Sequence, residues 1–505
     1  MKKLKLTATA LLATLFLSTA KADQTVELTT SKAIGETMEL MVNPAGTIYI
    51  DWGDGTFIEY AGTTEAFRTI TGEVKGEEIT IKGSDVKWTM LNCSGQQITK
   101  INTKNAPNLK SLYCSNNAIS SFVKSYSPAL TDLDLSNNSL RSFAVSQSSH
   151  PDMENLNISG NNIATNVGSS GQFTFNGSAI QNVNIANNKF KKVNVVTAAL
   201  LDALNCGGNN IQTLNLAGNA ALTTLLCSDN SLTEITGFEN KNSLQTFIAY
   251  NNQLTTLDLG GAEELTHINV NTNMLSSITL PETQLRTMEC AENQLSFGSL
   301  PLKKYKPENL NITPQANLVV TGAMKMAGNN VPYMDVCPSY SDRNKAEYVL
   351  NIGDLREGPG HSTSKSATVK AYRLDENGNE VELTKATSSA PNNEYSYGAG
   401  KLAFFAPLKN VYLKITHADY PELELVSDMF CVGEDIATGV ESITTTNTLE
   451  IVAQKGLVTL NANQRTLVVI YNVQGQLVWN GIIVGSKTVQ LPSATYIING
   501  QKISL

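Results

Sequence analysis

Ten times between residues 88 and 300 the chain returns to one pattern, L-x-x-L-x-L/C-x-x-N-x-L. Its second apolar position falls at Leu91, Leu112, Leu133, Leu156, Val183, Leu204, Leu225, Phe247, Ile268 and Met288. The units are 20–23 residues long except for one of 27. The first apolar position, from Trp88 to Leu285, and the last, from Ile98 to Leu295, are apolar in all ten units. Asn holds the polar position in nine of them, as in Asn117, Asn138 and Asn252, and Gln96 replaces it in the first. A unit this short cannot bury its own apolar face. Neighbouring units must stack, so the chain is committed to a solenoid.

Alternation within L-x-L predicts a short strand in each coil, with the two apolar residues inward and the residue between them outward. The Asn amide both donates and accepts, so a stack of such side chains can satisfy buried backbone groups at the corner. Some 20 residues leave no room for a full helix on the return side. A second extended or 3-10 row is expected there, with Leu254, Leu257 and Leu259 as one example. In the 27-residue unit, GSSGQFTFNGSA from Gly168 is expected to bulge at the surface. Composition agrees with this reading: Asn makes up 52 of 505 residues and only 16% are charged, which favours turn-rich β architecture over helical bundles.

The pattern resembles the leucine-rich repeat family, and the short units resemble its internalin type. The fold class expected is mainly β: a solenoid of about ten 20–27-residue coils over 88–310, flanked by small β-sandwich (immunoglobulin-like) modules.

Cys93, Cys114, Cys206, Cys227 and Cys290 take the second inward strand position, where other coils have Leu135, Ile158 or Val270. That substitution pattern reads as small apolar core. An oxidising compartment leaves a disulfide between stacked neighbours open. Cys337 and Cys431 lie outside the repeats and form a candidate disulfide.

Residues 23–87 read as an N-terminal β module ending in the solenoid cap GEEITIKGSDVKW. Asp51-Trp52-Gly53-Asp54-Gly55-Thr56 resembles the W-x-x-G-D-G turn of polycystic-kidney-disease-type domains. Asp51 and Asp54 suit either calcium or a tight turn, and the turn alone accounts for the residue types. Residues 318–436 read as a β-sandwich, with strand-like runs including AEYVLNI and NVYLKIT and a hairpin at Asn377-Gly378. Residues 437–505 read as a third β unit, a hairpin turning at Gln474-Gly475 followed by a closing strand pair. Ile470-Tyr471-Asn472 with Gly475, then Leu491-Pro492 and Tyr496, resemble the C-terminal sorting domain of type IX secretion in Gram-negative bacteria. Ala494 stands where that family commonly has Gly, and the chain ends without its basic residues.

Residues 1–22 read as a signal peptide: Lys2, Lys3 and Lys5, an apolar run from Leu6 to Leu17, and Ala20-Lys21-Ala22 for cleavage. Removal would move the net charge from -8 to -12. No later run is long and apolar enough for a transmembrane segment. A secreted or cell-surface protein is expected, with outer-membrane attachment open. The acidic balance argues against nucleic acid as partner. With four well-separated His, no metal site and no cofactor are expected.

No nucleophile elbow, zinc-protease helix or phosphate loop occurs, so the chain is expected not to be an enzyme. A solenoid does offer a concave face whose outward side chains the core leaves free. The candidate binding residues there are Tyr113, Asp134, Leu226, Ile248, Tyr250, His267 and Glu289. Leu226 and Ile248 are apolar where most coils are polar, and Tyr250 lies two residues beyond. The leading expectation is adhesion through a protein or glycan partner on a host or bacterial surface. The alternatives are a glycan-capturing or glycan-processing component with its site in the β-sandwich, and a structural scaffold.

Overall fold

The computed structural model describes residues 24–504 except 44–45, 63–66, 84–87, 123–128, 144–149, 165–170, 176, 178, 302, 317–320, 323, 328–331, 352–366, 399, 435–436, 438–448, 455–456, 473–476, 492–494 and 499–500. The expected signal peptide and the Gln474-Gly475 turn lie outside the described residues. The chain divides into two compact units, Met1–Lys189 and Phe190–Leu505. The repeats fold as a leucine-rich repeat solenoid, and the architecture is mainly β.

The first unit opens with six strands: β1 (Gln24–Thr30), β2 (Thr37–Val42), β3 (Ile48–Asp51), β4 (Phe57–Tyr60), β5 (Arg68–Glu73) and β6 (Glu78–Gly83). They make a cap rather than a free-standing module. β2 pairs antiparallel with the first coil strand, Met90–Asn92, and extends the coil sheet. β1 pairs antiparallel with Ile98–Asn105, the return row of the same coil. Both rows of the first coil, the strand row and the return row, are thereby covered at this end of the solenoid. Asn43 fastens the joint: its Oδ1 accepts the Thr89 and Met90 amides, each at 2.8 Å. Trp52 and Trp88 are buried in the cap.

Asp51 and Asp54 are occupied by the turn they belong to. Asp51 Oδ1 accepts the amides of Gly53, Asp54 and Gly55 at 2.9–3.1 Å. Asp54 accepts the Thr56 amide and pairs with Lys75 at 2.7 Å.

Coil strands in this unit stack parallel and in register, Leu91 on Leu112, Leu133 on Leu112, Leu156 on Leu133 and Val183 on Leu156. The corner Asn side chains work as expected. Asn138 Nδ2 donates to Cys114 O, Leu135 O and Ser136 O, and its Oδ1 accepts the Ile119 amide at 2.9 Å. In coil one, Gln96 Oε1 instead takes the Glu39 amide of the cap.

Among its described residues, the excursion after Gly168 does not bulge as expected. Gln172–Thr174 forms a return-row strand, and Phe173 and Phe175 are buried in the core. Alternation in QFTFN outweighs the loop-like Gly and Ser around it. Cys93 and Cys114 are joined by a disulfide between successive coils, in place of the buried free thiols that the substitution pattern suggests.

The second unit carries the remaining five coils and one more. Asn309–Asn311 pairs parallel with Thr287–Glu289 and places Leu310 on Met288. Gln315 fills its corner: Nε2 donates to Cys290 O and Ile312 O, and Oε1 accepts the Leu295 amide. Return-row strands pair as expected, Thr213–Asn215 with Glu234–Thr236 and Thr256–Asp258 with Ser277–Thr279.

Residues 321–432 build two sheets that face each other through contacts such as Phe404 with Phe430, 5.7 Å between ring centres. Ala346–Tyr348, read as strand, is a 3-10 turn. The hairpin at Asn377-Gly378 is present, with Asp375 Oδ1 accepting the Asn377 and Asn379 amides. This region closes the end of the coils: Tyr420 donates its hydroxyl to Pro301 O, Lys306 pairs with Glu422 at 2.7 Å, and His417 packs on Phe297. The candidate bridge between Cys337 and Cys431 is not formed. Both thiols are buried and free, and Cys337 Sγ donates instead to Ser339 O at 3.2 Å. Residues 449–504 form a five-stranded antiparallel sheet around Val458, Leu460, Ile470 and Tyr496.

Candidate functional site

Each coil strand shows outward side chains at its first and third residues. The third position has a structural use that its residue types disclose. Asn92, Asp134, Asn157, Asn184, Asn205 and Asn269 each accept, through Oδ1, the amide two residues on, at 2.8–3.2 Å. This is an Asx turn, and it closes the strand before the corner. Four coils break the rule, with Tyr113, Leu226, Ile248 and Glu289.

Glu289 is still held by the scaffold, since its Oε2 accepts the side-chain amides of Asn269 and Asn271, both at 3.0 Å. The Ala291 amide then turns to Asn271 Oδ1. Asp134 is likewise held by its own turn. His267 is exposed in the first-position column, between Thr246 and Thr287, and its Nδ1 meets Thr266 Oγ1 at 2.8 Å.

Leu226 and Ile248 are direct register neighbours and both are half-buried. Tyr250 follows on the same side and is also half-buried. These three make one apolar patch in the second unit. Behind it the thiols are inert: burial pushes Cys206 and Cys290 up to about 12 and raises Cys227 as well. Among the described residues no group of three or more His, Cys, Asp or Glu is arranged to hold a metal ion.

In the first unit, Tyr113 borders a hollow of about 570 Å3 whose wall includes Met41 and Phe67 from the cap. Phe67 is 59% exposed. Sequence reasoning missed both cap residues, because only the β2–Met90 pairing brings them beside the coils. The first-position column here is a polar ladder: Ser111 and Asn155 both donate to Asp132, and Asn182 donates to Asn155 at 2.7 Å.

No family model matches the chain, and no curated protein does. Parts of some solved structures do. A leucine-rich repeat protein of Leptospira interrogans is 20% identical over 42% of this chain and 56% of that one, with a TM-score of 0.36. An internalin, InlF, of Listeria monocytogenes is 21% identical over 46% of this chain and 75% of that one, TM-score 0.36. The functional domain of InlJ from Listeria monocytogenes, described as including a cysteine ladder, is 15% identical over 71% and 93%, TM-score 0.29. The chain thus spans little more than half of the Leptospira structure. At these identities the likeness is one of fold. Among the described residues no helix is long and apolar enough to cross a membrane.

Proposed function

We propose that this is a secreted or cell-surface binding protein that holds a protein partner on the exposed face of its coil strands. The observation that carries the reading is the abandoned Asx turn at Leu226 and Ile248. Six other coils place Asn or Asp there to close the backbone, and these two place apolar side chains side by side. With Tyr250 they form an anchor of the kind that dominates protein interfaces, a compact apolar and aromatic cluster within a polar surround. Tyr113 with Met41 and Phe67 supplies a second contact area in the first unit. His267 and Glu289 flank the anchor as rim residues.

The test is a binding screen of the full chain against purified extracellular proteins, followed by the variant Leu226→Ser/Ile248→Ser/Tyr250→Ser. Loss of binding with an unchanged circular dichroism spectrum supports the reading. Undiminished binding overturns it. Residues 437–505 are proposed to direct delivery to the cell surface. Surface labelling of a chain truncated after residue 436 tests this, and unchanged delivery refutes it.

A further inference from the structure

A cleft of about 860 Å3 lies between the corner ridge of four coils and the strand Leu477–Gln490 of the C-terminal sheet. It is separate from the strand-face patch. The residue just after the corner Asn recurs along one wall as Asn210, Ser231, Gln253 and Met274. The side chains of Asn210, Ser231 and Gln253 make no hydrogen bond among the described residues. Beside them runs Asp229, which accepts Asn251 Nδ2 at 2.8 Å. The opposite wall presents Val478 and Trp479, both half-buried, and Lys487, which lies 3.7 Å from Glu292.

The chemistry of these walls narrows the ligand. An acyl chain or an apolar peptide would meet a row of amides and a hydroxyl. A phosphate would find one lysine, already facing a glutamate. A sugar polymer fits each feature. Its hydroxyls both donate and accept, as do the Asn and Gln amides and the Ser hydroxyl. Its C–H ring face packs on an indole. Successive coils rise by about 4.8 Å, close to the length of one hexose in a linear chain, so the row Asn210–Ser231–Gln253 repeats in step with such a polymer. Asp229 and the paired Lys487–Glu292 leave no surplus positive charge for an acidic glycan.

We propose that this cleft binds a linear, uncharged polysaccharide, with about one hexose per coil along the ridge and one ring stacked on Trp479. The proposal stands independently of the protein-binding reading, since Leu226, Ile248 and Tyr250 do not line the cleft.

The chain reports on its own site. Trp52 and Trp88 are 1% exposed, so acrylamide quenching of the folded protein reads Trp479. The experiment titrates the full chain with neutral oligosaccharides of two to six sugars (glucan, xylan and mannan series) and with an oligouronate as the acidic control. The expected result is protection of Trp479 by at least one neutral series, tighter with chain length from two to four sugars, and none by the oligouronate. Ser231→Ala/Gln253→Ala should weaken binding by about tenfold, having lost two ligand hydrogen bonds, with the fold intact by circular dichroism. Trp479→Ala, which removes the reporter and is therefore read by isothermal titration calorimetry alongside the wild-type chain, should abolish it. Because Trp479 also packs on the C-terminal sheet, the double variant on the other wall carries the test should Trp479→Ala unfold that sheet. No binding by any neutral series, stronger binding of the oligouronate, or undiminished binding by the double variant would overturn the proposal.

Discussion

Asn252→Asp isolates what the corner Asn ladder contributes. The replacement is isosteric and retains an oxygen for the Leu232 amide, now at 2.9 Å. It removes the donor that serves Cys227 O at 3.0 Å, Ala249 O at 3.1 Å and Tyr250 O at 3.2 Å. The residue is 8% exposed, so water cannot replace the amide without opening the corner. An unsatisfied buried acceptor costs about 1–3 kcal/mol, and a two-hydrogen donor serves two acceptors well, so the loss should be about 2–6 kcal/mol. That is a large share of the 5–15 kcal/mol that holds a typical domain. Urea denaturation followed by circular dichroism should show the midpoint lowered by about 1 M or more. The buried carboxyl takes up its proton at higher pH in the folded chain than in the unfolded one. Its deficit should therefore shrink as pH falls toward 4, since the protonated acid regains one donor. Asn210→Asp, next to a corner and without side-chain hydrogen bonds, is the control and should stay within about 0.5 kcal/mol of wild type. A loss below about 1 kcal/mol for Asn252→Asp would refute the ladder argument.

Thr272 is a β-branched residue at φ 56°, and Thr272→Asn should stabilise the chain by about 1 kcal/mol, raising Tm by a few degrees in calorimetry. Gly72 faces Trp52 so closely that an added Cβ would lie 2.1 Å from the indole; Gly72→Ala should lower Tm markedly and expose Trp52 to acrylamide. Burial holds the His417 pKa below its ordinary value of 6.5. The folded chain then binds this proton less readily than the unfolded one, so the stability it contributes is full above about pH 6.5 and lost as pH falls through the lowered folded value. Tm should drop between pH 7.5 and 5 more steeply in wild type than in His417→Asn, which keeps an acceptor for the Asp419 amide now met by Nδ1 at 3.1 Å.

The coils were legible because their signal is repeated and physical. The inward positions, the corner Asn and the return row all follow from period and burial. What escaped was backbone conformation. The residue before each corner Asn lies in the left-handed region, including Asn116, Asn137, Asp229 and Asn251, with Gly160 and Gly208 doing the same. The run of Asn-Asn pairs was the available signal, since Asn, Asp and Gly tolerate that region best. The eleventh coil escaped because Gln315 stands for Asn and Asn317 for the last apolar residue. The cap's two-sheet joint and the separation of Cys337 from Cys431 depend on long-range pairing, and local pattern carries no information about either.

The high Asn content thus has three backbone causes: the corner ladder, the left-handed residue before it, and the Asx turn at the strand's end. This division sharpens the reading of function, because it identifies where the backbone asks for Asn and the sequence supplies something else. Leu226→Asn/Ile248→Asn puts the argument at risk. Asn at either site can accept the amide two residues on, as Asn205 and Asn269 do in neighbouring coils. The gained turns, at about 1 kcal/mol each, offset the lost contact between two half-buried apolar side chains. Stability should stay within about 1 kcal/mol of wild type while partner binding falls, the trade-off expected when a surface is kept for function at the scaffold's expense. A loss of 2 kcal/mol or more would mean that Leu226 and Ile248 serve the fold, and the anchor would then lose the observation on which it stands.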